Sequence, residues 1–352
     1  MTTNPGGDMS SHTTDGAVVP RTTLGRTGLE VSELSLGTWG FGNASAPQAQ
    51  VGSDENLVAV LQAAFAAGVT FLDSAEAYAN EDRLGRLLND VDTPDNLVIA
   101  TKFGHGKGFT ADQFKASVEQ SLNDLSLDKV DLMMIHDPRN EEDMQFILGP
   151  GGALEGLRQM QDQGIVGSTG VATGTLAPLK LAVDCGEFDV IQFPRLYTLI
   201  NRAAQTSGLL AAARAKGMGT LAAAPFAGNI LATGVRGVER PLYGYWDAQP
   251  EIVEAVGKMQ DRAEEVGATL AEAALAYAVT SPDIDSVVLG VTKPAELEQN
   301  LRAFTIEANR EQLESIAEVG TIDEYYLGGP QFVWPFPDDR MPQEIKDKLG
   351  LS

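Results

Sequence analysis

Four side chains of complementary acid–base character fall at matching places in successive segments. In "FLDSAEAYAN" an apolar run that reads as a strand ends at Asp73, and Tyr78 follows five residues later in the same strand-to-helix turn. "NLVIATK" ends at Lys102, and "VDLMMIH" ends at His136. Each has a structural reading when taken alone: a strand-end Asp caps a helix, a Tyr packs, a Lys reaches solvent, and a His satisfies a hydrogen bond. Together they form a set able to move a proton on and off a phenol. Tyrosine's reference pKa near ~10 is too high for a base at neutral pH. An ammonium ~4 Å away, at an effective dielectric of about 20, contributes roughly 4 kcal/mol, or about three pKa units, before desolvation works the other way. Asp73 would hold Lys102 charged and in place, and His136 would orient a substrate oxygen or share the proton. Tyr78 would then give a proton to a carbonyl oxygen or take one from an alcohol, with hydride as the partner.

The elements that would position this set alternate along the chain. A hairpin is expected around Gly25-Arg26-Thr27-Gly28, followed by a strand at Leu34 to Leu36 and a helix from Asp54 capped by Ser53. Strands then recur at "VTFLD", "NLVIATK", "VDLMMIH", "IVGSTGV", "FDVIQF", "MGTLAAA" and "DSVVLGV". Helices are expected over 111–124, 153–163, 202–216 and 252–266, with others after Thr175, from Thr269 and at Glu296. Short, nearly all-apolar strands separated by amphipathic helices imply parallel pairing buried on both faces. Eight such units predict an α/β fold, a (β/α)8 TIM barrel with an N-terminal β-hairpin, whose reactive face is the carboxyl end of the strands. No GxGxxG opens a helix after the first strand, so a Rossmann phosphate loop is absent.

Residues 21–319 are assigned to the barrel, 1–20 to a disordered N-terminal tail without signal-peptide character, and 320–352 to an extended C-terminal tail packing on the barrel. The tail aromatics Tyr325, Tyr326, Phe332, Trp334 and Phe336 would pack, roof the pocket, or form a contact in a homo-oligomer. With 49 acidic against 25 basic side chains the formal charge is -24, which repels nucleic acid and anionic membranes. The long uncharged run 217–235 holds four glycines and a proline, so no membrane span is expected. Cys185, the single cysteine, excludes an intramolecular disulfide and fits a cytoplasmic setting. No metal site is expected, because His136 is the one strand-end histidine and has no second ligand His beside it.

From about Thr22 to about Val319 the chain resembles the aldo-keto reductases, on "LGRTGLEVSELSLGTWGFG", "FLDSAEAY", "ATKFG" and "DLMMIHDP". The resemblance implies a barrel that binds NADP(H) or NAD(H) without a Rossmann domain, and a catalytic tetrad of Asp73, Tyr78, Lys102 and His136. It also implies aldehyde or ketone reduction, or alcohol oxidation, of a small molecule. Gln192 matches the glutamine that binds the nicotinamide carboxamide, beside Ala172 and Thr173 where many members carry Ser-Asn. Ala79 stands where glycine commonly follows the tyrosine. Gly37, Thr38, Trp39, Leu289 and Gly290 are further cofactor candidates, and the ring-stacking residue is Arg195 or Tyr197. "GVTKPAELEQNL" assigns Thr292, Lys293, Glu296, Gln299 and Asn300 to the adenosine phosphate end. Glu296 there suits a ribose hydroxyl, whereas Lys293 suits a 2′-phosphate. The substrate is expected among Trp39, Tyr78, His136 and Trp246. "RLYTLINR" and "PFAGNILATG" resemble the branch that oxidises aldoses such as fucose and galactose. The alternative is a relative that binds cofactor but turns over little and serves regulation.

Overall fold

The computed structural model of the chain describes residues 19–42, 51–106, 108–244 and 246–320. The expected tails fall largely outside the described residues, as do His12, Tyr245 and the C-terminal aromatics. Val19, expected in the N-terminal tail, is instead buried, and its amide donates to the Ala67 carbonyl at 3.0 Å.

Strands β1 (Arg21–Thr23) and β2 (Glu30–Ser32) pair antiparallel as the expected hairpin. Strands β3 (Leu34–Gly37), β4 (Phe71–Asp73), β5 (Val98–Phe103), β6 (Val130–His136), β7 (Val166–Ala172), β8 (Val190–Pro194) and β9 (Gly219–Ala223) follow. After a two-residue-per-strand hairpin of β10 (Leu242–Tyr243) and β11 (Trp246–Asp247) comes β12 (Ser286–Gly290). Strands β3 to β9 and β12 pair parallel in chain order, and β12 closes the ring on β3.

The helices lie between these strands: α1 (Asp54–Ala66), α2 (Glu81–Leu88), α3 (Ala111–Leu125), α4 (Glu141–Leu148), α5 (Ala153–Asp162), α6 (Leu176–Cys185), α7 (Ala203–Thr206), α8 (Leu209–Ala215), α9 (Ile230–Thr233), α10 (Pro250–Glu265), α11 (Leu270–Val279), α12 (Pro294–Leu301) and α13 (Arg310–Val319). The Ser53 hydroxyl caps α1 by accepting from the Asn56 amide, and Thr110 with Gln113 closes a capping box on α3. The single helix expected over 202–216 is two, because Gly208 sits left-handed at φ 78° and breaks the run. Helices α2 and α4 were not delimited from the sequence, although Asn140 caps α4 and Met144 and Ile147 form its buried face. No described helix is long and apolar enough to cross a membrane.

Strand parity decides what faces the barrel axis. Side chains alternate along a strand, and one apolar cluster contains Phe71 of β4, Val98 and Ala100 of β5, Leu132 and Met134 of β6, Val190 of β8 and Leu221 of β9. Two residues further along the same parity stand Asp73, Lys102, His136, Gln192 and Ala223. The polar residues therefore form the uppermost layer of a packed interior. Leu24 and Val31 of the hairpin are fully buried in the same cluster and stopper the opposite end. Arg26 fixes that stopper by donating to the carbonyl of Phe188 at 2.7 Å and to Asp189 at 3.2 Å.

Candidate active site

Asp73 and His136 end β4 and β6, and Lys102 is the penultimate residue of β5 between them, which runs on to Phe103. The register places Lys102 beside Met134 and Asp73 beside Ala100. Lys102 is the most deeply placed, with 1% of its surface exposed. Its ammonium donates to Asp73 Oδ2 at 2.7 Å, to the Ser74 carbonyl at 2.7 Å, and to the Tyr78 hydroxyl oxygen at 3.3 Å. A buried ammonium is costly unless paired, and here three oxygens share it. Asp73 is satisfied on its other side by Gln192, whose amide nitrogen donates to Oδ1 at 3.0 Å. An ammonium this close favours the ionised phenolate by direct Coulomb attraction.

Tyr78 reaches this position from a single 3-10 turn, Glu76–Tyr78, that leaves β4. Ala79 closes the turn in the left-handed region at φ 50°, a conformation that favours glycine. Loop ties hold the turn in place. The Thr38 hydroxyl bonds to Ser74 Oγ at 3.1 Å, Ser74 to Asn80 Oδ1 at 3.3 Å, and the Asn80 amide donates to the Thr38 carbonyl. Ser117 of α3 donates to Glu76 at 2.6 Å. The His136 ring meets the Tyr78 ring edge-on, with centroids 5.9 Å apart at 84°. Burial lowers the His136 pKa to about 3, outweighing Asp137, so the imidazole is neutral across the physiological range. Its Nδ1 is buried without a hydrogen-bond partner among the described residues.

A cavity of about 260 Å3 opens above the layer, lined by Tyr78, His136, Gln192 and Thr173 together with Trp39 and Arg195. Gly37, Asp73, Ala172 and Gly290 also line it. A second cavity of about 390 Å3 is bordered by Thr292, Lys293, Glu296, Gln299 and Asn300 around the start of α12. Trp39 and Gly290 line both, so the two form neighbouring compartments with a shared wall. Lys293 and Glu296 form an ion pair at 2.9 Å.

Four expected residues sit elsewhere. Tyr197 is 1% exposed, donates to Ser281 Oγ at 2.8 Å and stacks on Tyr277 at 5.3 Å, so it belongs to the helical shell and Arg195 is the member of that pair at the cavity. Leu289 has the outward parity of β12 and packs among the helices. Thr38 is fully buried and serves the loop ties. Trp246 lies on β11 and lines neither cavity.

Three residues at the mouth were missed. His105 follows β5 after Gly104, whose φ of 123° turns the chain. Its Nδ1 lies 2.9 Å from Asp137 Oδ2, and its ring lies 5.3 Å from that of His136. Asp137 occupies the left-handed region at φ 51°. Burial works to raise its carboxyl, but the imidazoles of His136 and His105 and the charge of Arg195 together hold it below the usual range. Arg139 lines the same cavity. Contrary to expectation, His136 therefore has a second histidine beside it, because the turn at Gly104 brings His105 back toward the end of β6.

The sequence profile of the Aldo/keto reductase family matches residues 33–321. The chain belongs to this family. It is 28% identical over 309 residues to the L-galactose dehydrogenase of Arabidopsis thaliana, covering 86% of this chain and 93% of that enzyme. A D-threo-aldose 1-dehydrogenase of a Pseudomonas species is 27% identical, over 80% of this chain and 91% of its own length. A probable voltage-gated potassium channel subunit beta of Oryza sativa subsp. japonica is 29% identical, covering 80% and 90%. Among solved structures, a Pseudomonas aeruginosa protein described as an aldo-keto reductase superposes with a TM-score of 0.58, at 24% identity, over 81% of this chain and 94% of that one. That likeness bears on the fold, and the closed eight-stranded parallel barrel agrees with it.

Proposed function

We propose that this aldo-keto reductase is an NAD(P)-dependent oxidoreductase that interconverts an alcohol and a carbonyl on an aldose or a similarly polar substrate. The observation that carries the reading is the Lys102 ammonium, held by Asp73 and set 3.3 Å from the Tyr78 hydroxyl at the floor of the cavity. Tyr78 is the general acid in reduction and the general base in oxidation. Lys102 stabilises the phenolate that remains when the proton has left, and Asp73 fixes Lys102. His136, neutral and edge-on to the phenol, orients the substrate oxygen by a hydrogen bond. A nicotinamide bound above this layer would supply or accept the hydride.

The residues present suit such a cofactor. Gly37 and Gly290 line the cavity without a side chain to fill it, and Gln192 and Arg195 line it with an amide and a guanidinium. The second compartment, which shares Trp39 with the first, sets the polar groups of Thr292, Lys293, Glu296, Gln299 and Asn300 beside the apolar Phe226 and Ala271, a mixed lining that suits an adenosine phosphate. Within it Glu296 already engages Lys293, so a 2′-phosphate would have to displace a carboxylate and then lie against it. This pairing favours NAD(H) over NADP(H). The relatives named as aldose and galactose dehydrogenases support the sugar class, and Asp137, His105 and Arg139 give the cavity rim groups that bind hydroxyls.

The test is reduction of NAD+ and of NADP+ by the purified chain with a panel of aldoses, beside calorimetric binding of both nucleotides. Turnover with at least one aldose and tighter binding of NAD(H) are expected. Binding of neither nucleotide would overturn the reading, and tight binding with no turnover on any aldose or carbonyl would move it to a cofactor-binding regulatory protein.

A further inference from the structure

The cavity rim carries a second set of groups that the proton-transfer mechanism does not use together. His105, His136 and Asp137 each offer one donor atom, and the three atoms lie within 4.8 Å of one another. Asp137 Oδ2 is the hub, 2.9 Å from His105 Nδ1 and 3.9 Å from His136 Nε2. We propose that these three residues form a reversible binding site for a divalent transition cation of the zinc type, and that its occupation shuts the active site.

Two imidazoles and one carboxylate are the donor set that zinc takes in open, three-ligand sites, where a fourth position is left for water or another oxygen ligand. Zinc–ligand bonds of ~2.05 Å at tetrahedral angles put donor atoms about 3.3 Å apart. The separations of 2.9 Å and 3.9 Å bracket that value. Closing the third requires a movement of about 1.5 Å at most, which His105 can make because its side chain is 47% exposed. Arg195 and Arg139 line the same cavity and oppose an added positive charge. The Asp137 carboxylate offsets them locally, and the formal charge of -24 concentrates cations around the molecule.

Two features make the site reversible rather than structural. The His136 Nδ1 that would carry the proton when Nε2 binds metal has no hydrogen-bond partner among the described residues, so the outer support that strengthens metal-ligating histidines is missing there. His105 lies on an exposed turn. The consequence for turnover follows from position: a cation on His136 Nε2 occupies the nitrogen that would orient the substrate oxygen, beside Tyr78. Inhibition should compete with the alcohol or carbonyl substrate. The metal site stands independently of the redox reading, whereas its effect on turnover rests on it.

The experiment uses the full chain, without substrate or cofactor, as wild type, His105→Ala and Asp137→Asn. Zinc binding is followed by calorimetry, and cobalt(II) binding by its visible d–d absorption. The expected result is a cobalt spectrum of tetrahedral type, abolished by excess zinc or chelator, with binding weakened in both variants by at least about a hundred-fold, since even outer-shell partners are worth 10- to 100-fold. Equal affinity in wild type and both variants would overturn the site. The second arm measures turnover with and without zinc for each protein and compares the ratios. Wild type should be inhibited competitively with substrate and His105→Ala should escape inhibition. Zinc bound at this site with turnover unchanged would overturn the inhibitory role and leave the site standing. Folding of each variant is verified by its circular dichroism.

Discussion

The proposed chemistry rests on one nitrogen. Lys102 Nζ lies within hydrogen-bonding distance of a carboxylate, a carbonyl and a phenol, and no other described lysine is so deeply buried. That arrangement was legible from the sequence because a barrel strand that is apolar to its last residue makes a terminal Asp, Lys or His stand out. His105 was not legible for the complementary reason. It lies three residues past Lys102, and only the backbone turn at Gly104 returns it to the site. Tyr197 against Arg195 could not be decided either, since both are plausible near a cofactor and the choice depends on the Tyr277 stack and the Ser281 hydroxyl, far away in the chain. At this scale cofactor choice is also testable. Glu296→Gln should release Lys293 and remove a carboxylate from the 2′-phosphate position. Affinity for NADPH relative to NADH should then rise a few-fold, in keeping with the ~1 kcal/mol or less that an exposed pair is worth. An unchanged ratio in calorimetry would detach this ion pair from nucleotide selection.

Among the elements, alternation along each strand explains why the interior ends in a polar layer, and it follows directly from the pattern of the sequence. What the pattern did not disclose is how the loops are held. Helix α2 begins with Glu81, which in sequence is an ordinary first-turn acid. In the fold it is 3% exposed and accepts hydrogen bonds from Thr101 of β5 and, at 2.7 Å, from Ser121 of α3. It thereby clamps α2 to the strand that carries Lys102. Burial raises its pKa, against the two hydroxyls that lower it. The folded chain therefore holds a proton on Glu81 at pH values where the unfolded chain has released it. This group's contribution to stability is complete below the unfolded value of 4.5 and declines as pH rises through the raised folded value. Glu81→Gln, which keeps an acceptor without the charge, should be no less stable than wild type at pH 8. Its advantage should shrink as pH is lowered toward 5, as measured by urea denaturation. An advantage that grew on acidification would contradict the assigned direction.

On the scale of the whole molecule, the barrel is closed at one end by the hairpin and carries the cavity at the other. The hairpin of β1 and β2 was expected from Gly25 and Gly28, but its role as a stopper was not, because nothing in a short hairpin says where it docks. Leu24 and Val31 are fully buried against the barrel interior, and Gly25, at φ 47°, sits against the backbone of Gly219 where a Cβ would clash. Leu24→Ala should cost about 2–5 kcal/mol of stability in chemical denaturation, as for a buried leucine that leaves a cavity. Substrate KM should stay within about two-fold, because the stopper and the cavity lie at opposite ends of the strands. A large KM change without loss of stability would mean that the hairpin bears on the site directly.

The central claim is that the phenol of Tyr78 moves the proton, and Tyr78→Phe tests it while leaving the ring in place. Single-turnover kinetics with pre-bound nicotinamide nucleotide should show cofactor affinity within about three-fold of wild type and a chemical step slowed by about 100-fold or more, the scale of a lost general acid–base group. A Tyr78→Phe chain that transfers hydride at the wild-type rate would contradict the account.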